Sequence, residues 1–329
     1  MYEIQKFDEV IYEKVCKENK AFLEDYILEM KSRKLKEKTI YQYAADIKLF
    51  FCYSYNEFKN KPIIELKRKQ FRRFFIDYQE TDVSNARINR VQCSLRNFLA
   101  YLTSDEDVVD DYGVEVNYMD KIKGFVKEEV REIIFLSDEE ICVLIDKLVE
   151  KEEYQKALLV ALSYESGGRR NEIYQVTKDS LMDKRDNKTN ELVGKRGKQF
   201  QLRYFSKTKE IFDLYLKQRG EDNEPYLWYK KDKDGVTKVG YTTLYQWVID
   251  CRRVLEEVSG EHKLFNNHSF RHCNAENLLN GTHYILKELG REKLDLSEIK
   301  LLLHHSSSST TETYVVNTDV KEEEELFGI

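Results

Sequence analysis

The chain has 329 residues, enough for two ordinary domains, and its 54 Lys and Arg against 60 Asp and Glu leave a net charge of −6 that gives no first sign of a polyanion partner. With 41% apolar residues, 22 Tyr and 17 Phe it can build real cores, which excludes disorder over most of its length. Only 2 Pro and 13 Gly exclude a turn-rich β-sandwich or a collagen-like chain and favour helices. The first residues lack the basic and apolar regions of a secretory signal, and no apolar run approaches a bilayer span. A soluble, cytoplasmic protein without a membrane partner is therefore expected. Six cysteines stand far apart without a C-x-x-C pair and read as buried free thiols.

Charge is unevenly placed. Residues 17–104 hold 18 basic against 11 acidic side chains, whereas 105–153 hold 6 against 17. This divides the chain into a short extension at 1–16, a basic domain at 17–105, an acidic linker at 106–134, a second domain at 135–314 and an acidic tail at 315–329. In the first domain, Phe22, Leu23, Tyr26, Ile27 and Met30 recur at helical spacing. Thr39 reads as an N-cap before Ile40, Tyr43, Ile47 and Phe50. A third helix carries Leu66, Phe71, Phe74, Phe75 and Tyr78, and Ser84 opens a fourth with Ile88, Val91, Leu95, Phe98 and Leu102 on one face and Arg87, Arg90 and Arg96 on the other.

The second domain opens on Ser137 and Glu140 at capping-box spacing. A helix through Ala157 to Ser163 leads into Ser166-Gly-Gly-Arg-Arg-Asn-Glu172. Period-two alternation from Glu191 to Tyr204, with Gly194 and Gly197 in its middle, predicts a hairpin. Helical pattern returns at 209–218, 242–258, 268–280 and 296–303. Ser306 to Ser309 reads as a turn between helices. The fold class expected is mostly α, a small helical domain followed by a mixed α+β domain with one small antiparallel sheet.

Arg169 after a Gly-Gly pair, His268 and Arg271 one helical turn apart, the His304-His305 pair and Tyr314 are each ordinary alone. In this order they resemble the boxes of the tyrosine recombinases, the phage integrase and Xer-type site-specific enzymes. The matching stretches are Gly167 with Arg169-Arg-Asn-Glu172, Gly194-Lys195-Arg-Gly-Lys198, His268-Ser-Phe-Arg271-His272, and Leu302-Leu-His-His305 followed nine residues later by Tyr314. Ser84 to Leu102 is similar to the last helix of that family's core-binding, SAM-like domain, and Thr39, Tyr43, Asp46 and Phe50 to its second.

The resemblance implies a metal-free, cofactor-free strand exchange on duplex DNA carrying specific recombination sites. Tyr314 would be the nucleophile and form a 3′-phosphotyrosyl bond. Arg169 and Arg271 would grip the phosphate, and His305 would donate to it. Lys195 would protonate the 5′ oxygen, with Lys198 as its rival on the same hairpin, and His268 would take the tyrosine's proton. Arg87, Arg90, Arg96, Lys198 and His272 are the expected DNA contacts. The resemblance further implies a homotetramer on two duplexes, coupled through the tail after Tyr314, with room for accessory proteins.

Integration and excision of a mobile element, dimer resolution and telomere resolution share this chemistry. A DNA-binding regulator that has kept the fold and a metal-dependent nuclease built on the six histidines are rivals of other classes. The chain departs from the family pattern at several points. His304 stands where Gly is usual, and Gly168 where an apolar residue is usual. The stretch around Thr282 to Lys293 is longer than common, and the Asn-Pro that ends the family's linker is missing.

Overall fold

A computed structural model describes residues 7–106, 109–110, 116–126, 134–182, 186–194, 197–233 and 235–304. They fall into two units that divide between residues 132 and 133.

The first unit is helical. Asp8 caps α1 (Glu9–Glu13) by accepting the Ile11 N–H at 3.0 Å. Then come α2 (Lys17–Ser32), α3 (Glu37–Glu57), a 3-10 turn at Ile63–Glu65, α4 (Arg68–Gln79) and α5 (Asn85–Leu102). The periodic residues face inward: Phe22, Leu23, Phe50, Phe71, Phe74, Leu95 and Phe98 are all buried. Phe50 stacks on Phe71 with centroids 5.2 Å apart and meets Phe74 edge-on at 5.0 Å, the two geometries that ring quadrupoles favour. Ser84 caps α5 as its position suggests. Thr39 does not cap α3, because the helix starts two residues earlier from an extended Lys36, whose carbonyl receives the Thr39 N–H at 2.8 Å.

The three arginines of α5 have work inside the unit. Asp46 is 3% exposed, and its carboxylate accepts from Arg90 Nη2 and Nε at 3.0 and 3.2 Å, from Ser94 Oγ at 2.8 Å and from Gln42 Nε2 at 3.1 Å. Arg87 Nε donates to Tyr78 Oη at 2.8 Å. Arg96 Nη2 donates to the Ile122 carbonyl at 3.0 Å. Asn85, Asn89 and Gln92 lie on the Arg96 side of α5, and their side-chain amides reach the carbonyls of Val126, Phe125 and Lys123. With Met119 and Ile122 buried, residues 117–126 therefore belong to the first unit, although the acidic composition reads as a free linker. A stripe of amides on the Arg96 side of α5 thus reads a neighbouring main chain, while Arg90, 44% exposed, is held by Asp46. Arg90→Ala is expected to lower stability by about 1–3 kcal/mol, because it strips charged hydrogen bonds from a buried carboxylate. Thermal unfolding measures that loss, and the slope of DNA affinity against salt should stay unchanged.

The second unit is built around one buried helix. α6 (Asp138–Glu150) opens with the expected capping box: Ser137 Oγ accepts the Glu140 N–H at 3.2 Å and Glu140 returns a carboxylate oxygen to the Ser137 N–H at 3.0 Å. α7 (Tyr154–Ser166) is apolar almost all round, and every residue from Ala157 to Ser166 is buried, as expected of a helix with neighbours on all sides. Short α8 (Arg170–Ile173) and α9 (Lys178–Met182) follow. The expected hairpin forms from β1 (Leu192–Val193) and β2 (Gln199–Phe200), in register Leu192 to Phe200, with the Gly194 N–H closing on the Lys198 carbonyl at 2.8 Å.

After α10 (Ser206–Arg219) comes a second antiparallel pair, β3 (Tyr229–Asp232) and β4 (Gly235–Lys238). Among the described residues the expected small antiparallel sheet forms, and a second, separate hairpin is added to it. The second escapes a pattern search because its strands are short and mostly polar, and only the Asp234-Gly235 pair signals it. α11 (Tyr241–Ser259), α12 (Asn267–Leu279), α13 (Ile285–Leu289) and α14 (Leu296–Leu302) complete the described unit. Of the six free thiols, Cys52, Cys251 and Cys273 are buried, but Cys93 is exposed.

Candidate active site

The site forms where α7 ends, α12 begins and α14 ends. α7 stops at Gly167, whose φ of 59° lies in the left-handed region open to glycine. No side chain fits there, since a Cβ would stand 2.3 Å from Leu303 Cδ2 and 3.0 Å from Asn274 Oδ1. The same crowding explains Gly168, where a Cβ would meet Leu202 and Ile173 within 2.8 Å. Their side chains fill the space of the usual apolar residue.

The chain leaves this turn extended at Arg169, the N-cap of α8. Glu172, nearly buried, accepts the Arg169 N–H at 2.8 Å and Arg169 Nη1 at 3.0 Å. Arg169 is 38% exposed, so its guanidinium is aimed by a buried carboxylate yet open to a ligand.

Asn266 caps α12 by accepting the His268 N–H at 2.8 Å. One turn on, Arg271 is 1% exposed, and its two terminal nitrogens donate to the Gly167 carbonyl at 2.6 Å and the Leu303 carbonyl at 2.7 Å. A planar fork can bridge two carbonyls at once, and here it joins the turn before Arg169 to the segment before His304.

Solvent reaches the His268 ring, but one side packs edge-on against His272 at 4.5 Å. Burial of that side, then the charges of Arg271 and Arg169, hold His268 below the ordinary histidine range. Burial, His268 and Arg271 push His272 down to about 4. Both rings are thus kept neutral at pH 7 and able to accept a proton. His304 has φ 53°, which is why glycine is usual there. Its ring lies 4.3 Å from Phe200 with Nε2 3.2 Å from the Gln201 carbonyl, and burial lowers its pKa, with smaller effects from the charges of Lys198 and Arg271.

Arg169, His268, Arg271, His272, His304 and Lys198 are therefore gathered in one region of the second unit. Lys195, His305 and Tyr314 lie outside the described residues, as do the Ser306 to Ser309 turn and the tail.

Behind this surface runs a buried polar network. Tyr164 Oη donates to Asp138 at 2.8 Å and accepts from Asn277 at 2.9 Å, while His283 stacks flat on the Tyr164 ring at 4.0 Å. Burial pushes His283 down to about 3. Asn274, one turn beyond Arg271, donates to the Tyr164 carbonyl at 2.6 Å. The unusually long stretch supplies His283, Tyr284 and α13 to this network. Glu172 stood in the quoted motif without a role, and its spacing of three from Arg169 was the available signal; nothing in the sequence marked Asn274, Asp138 or Glu165.

The profile of the phage integrase family matches residues 134–321. The chain belongs to the phage integrase family. Members of this family are site-specific DNA strand transferases. Among relatives of this phage integrase chain, the SPbeta prophage-derived recombinase-like protein YomM of Bacillus subtilis strain 168 is 23% identical over 327 residues, covering 96% of this chain and 92% of its own. A tyrosine recombinase of Pseudothermotoga lettingae is 24% identical over 293 residues, covering 88% and 91%. The fold is shared with XerH recombinase bound to a palindromic difH substrate after cleavage, at TM-score 0.65 and 18% identity over 100% of this chain and 91% of that one. It is shared equally with a lambda integrase tetramer bound to a Holliday junction, at TM-score 0.64 and 16% identity over 89% and 76%. Among the described residues no helix is long and apolar enough to cross a membrane.

Proposed function

We propose that this integrase-family chain cuts and rejoins duplex DNA at specific sites through a 3′-phosphotyrosyl intermediate on Tyr314, without metal or nucleotide. The observation that carries the reading is the Arg271 fork, which ties the Arg169 turn to the chain leading to His305 and Tyr314 while His268 beside it stays neutral.

The Tyr314 hydroxyl oxygen attacks the scissile phosphorus and passes its proton to His268. Arg169, with Arg271 behind it and His305 as a further donor, offsets the charge that builds on the non-bridging oxygens. The 5′ oxygen leaves with a proton from Lys195, or from Lys198, whose neighbour His304 lies by Phe200 at the hairpin's foot. Religation runs these steps backwards, so the phosphate bond energy is conserved.

In the first unit, α4 carries Arg68, Lys69 and Arg72 along an open groove, with no acid in its first turn. These cations, rather than the α5 arginines, are the phosphate contacts of that unit. The whole-length likeness to a prophage-derived recombinase-like protein supports integration and excision of a mobile element, in the cytoplasm where such DNA resides. The tetramer in the lambda integrase complex supports a homotetramer joining two duplexes here.

A sulfur at the scissile 5′ position tests the proton donor, because a thiolate leaves without protonation. Lys195→Ala is expected to slow cleavage of the oxygen substrate about 10²–10⁴-fold and to recover with sulfur. Recovery by Lys198→Ala instead moves the role along the hairpin. Recovery by neither variant overturns the assignment.

A further inference from the structure

In the second unit, Glu165 is a buried carboxylate that the reaction as written does not use. Glu165 sits in the last turn of α7, four residues before Arg169, and is wholly buried. Its Oε2 accepts the Phe205 N–H at 2.7 Å, and its Oε1 accepts the Thr208 N–H at 3.3 Å and the Tyr284 hydroxyl at 2.9 Å. No ion pair joins it to a cation among the described residues. Burial raises its pKa above the ordinary carboxylate range, an effect that these donors oppose only in part.

A carboxylate is a costly way to fill this position. The middle of α7, Ala157 to Leu162, is apolar, and at position 165 a Leu or Met would pack without desolvating a charge. What the carboxylate adds is directional. α10 begins at Ser206 after an extended N-cap, Phe205, and the N-cap side chain makes no capping hydrogen bond. Glu165 performs that capping from another helix, taking two of the free N–H groups of the first turn.

Phe205 is five residues past the end of β2 and seven past Lys198. Between them the Leu202 N–H bonds Thr189 Oγ1 at 3.0 Å and the Tyr204 N–H bonds the Asn187 carbonyl at 3.1 Å, so the returning strand is laced down to its root at Phe205. On the other side, Asn274 Nδ2 holds the Glu165 carbonyl at 3.3 Å, one turn from Arg271. Glu165 is thus the point at which the Arg169 turn, the Arg271 helix and the root of the lysine hairpin are fastened together. Tyr284, from the stretch around Thr282 to Lys293, closes the fourth side.

We propose that Glu165 is a positioning residue for departure of the 5′ oxygen, fixing the root of the β1–β2 hairpin relative to Arg169 so that the hairpin lysine reaches the leaving group. This rests on the reading that a hairpin lysine is the proton donor. Glu165→Gln keeps the shape but leaves one oxygen to face the two N–H groups and the hydroxyl, so the hairpin root is released by a fraction of its contacts.

The test uses the full chain and a suicide half-site in two forms, with oxygen or with sulfur at the scissile 5′ position. Glu165→Gln is expected to bind the half-site as the wild type does and to form the covalent adduct about 100-fold more slowly on the oxygen substrate, the scale of a misplaced catalytic group. On the sulfur substrate its rate should return to the wild-type value. A role confined to stability or to Arg169 would slow both substrates alike, and that result, or no slowing at all, overturns the proposal. Lys195→Ala and Lys198→Ala run in parallel: if neither recovers with sulfur, the hairpin-lysine reading has failed, whereas recovery there without recovery in Glu165→Gln leaves that reading intact and removes this one. If Glu165→Gln does not fold, Glu165→Asp keeps the charge on a shorter arm and should show a smaller loss with the same sulfur recovery; equal loss on both substrates again overturns the proposal.

Discussion

A Tyr314→Phe variant is expected to bind its DNA site with unchanged affinity and to form no covalent adduct with it. The substitution removes one oxygen atom, the one that would bond to phosphorus, and leaves the aromatic ring. A water molecule attacking in its stead would give a free end and no protein–DNA bond, so adduct formation separates the phosphotyrosyl route from simple hydrolysis. Gel analysis of a trapped half-site under denaturing conditions reads the adduct, and native gel shift reads binding. Adduct at the wild-type level in the variant would remove Tyr314 from the mechanism. A rate of strand cleavage that depends on divalent metal and not on Tyr314 would favour a nuclease.

The second large effect separates two arginines that the motif treats as a pair. Arg271→Lys is expected to damage both stability and catalysis, and Arg169→Lys catalysis alone. The Arg271 fork spans the Gly167 and Leu303 carbonyls, both buried within the site. A lysine ammonium is a single point and cannot reach both, so one carbonyl is left unsatisfied at a cost of about 1–3 kcal/mol. Loss of that bond also lets the segment after Leu303 drift from Arg169. Cleavage should fall about 10²–10³-fold, as when one preorganised donor is removed from a transition state.

Among the described residues the Arg169 side chain pairs with Glu172, and it is partly exposed. Its replacement by Lys keeps a positive charge beside the buried Glu172 carboxylate, so stability should fall by about 1 kcal/mol or less, while cleavage falls by a similar factor. Thermal unfolding and single-turnover cleavage of the two variants make the comparison. Equal unfolding temperatures for both would mean that Arg271 does not hold the site together.

Features set by neighbours in the chain were legible in the sequence. The Ser137–Glu140 box, the Ser84 cap and the Gly194–Gly197 turn each depend on residues a few positions apart, and each stands where its spacing placed it. The partners of Arg90 and Arg96 were not legible for the opposite reason. A helix face rich in arginine looks the same whatever it pairs with, and here Asp46 and the carbonyls at 119–122 accept from it across 44 and about 25 residues.

Glu165 shows the same limit more sharply. Within the sequence it is one acid in an apolar helix, and only the distant N–H groups of α10 give it a partner. Of the candidate site, the helix pair His268 and Arg271 followed from periodicity. The use of Arg271 as a clamp did not, because its partners lie 104 residues before it and 32 after it. His304 turned from an anomaly into a backbone feature once its positive φ was known.

The central claim is a phosphotyrosyl bond at one named residue. Trapping the wild-type chain on a suicide substrate, digesting with trypsin and nuclease, and sequencing the modified peptide by mass spectrometry tests it directly. The expected result is a 3′-phosphonucleotide on Tyr314 within the peptide running from Leu301 to Lys321. Attachment at another of the 22 tyrosines, or through the 5′ end of the broken strand, would contradict it.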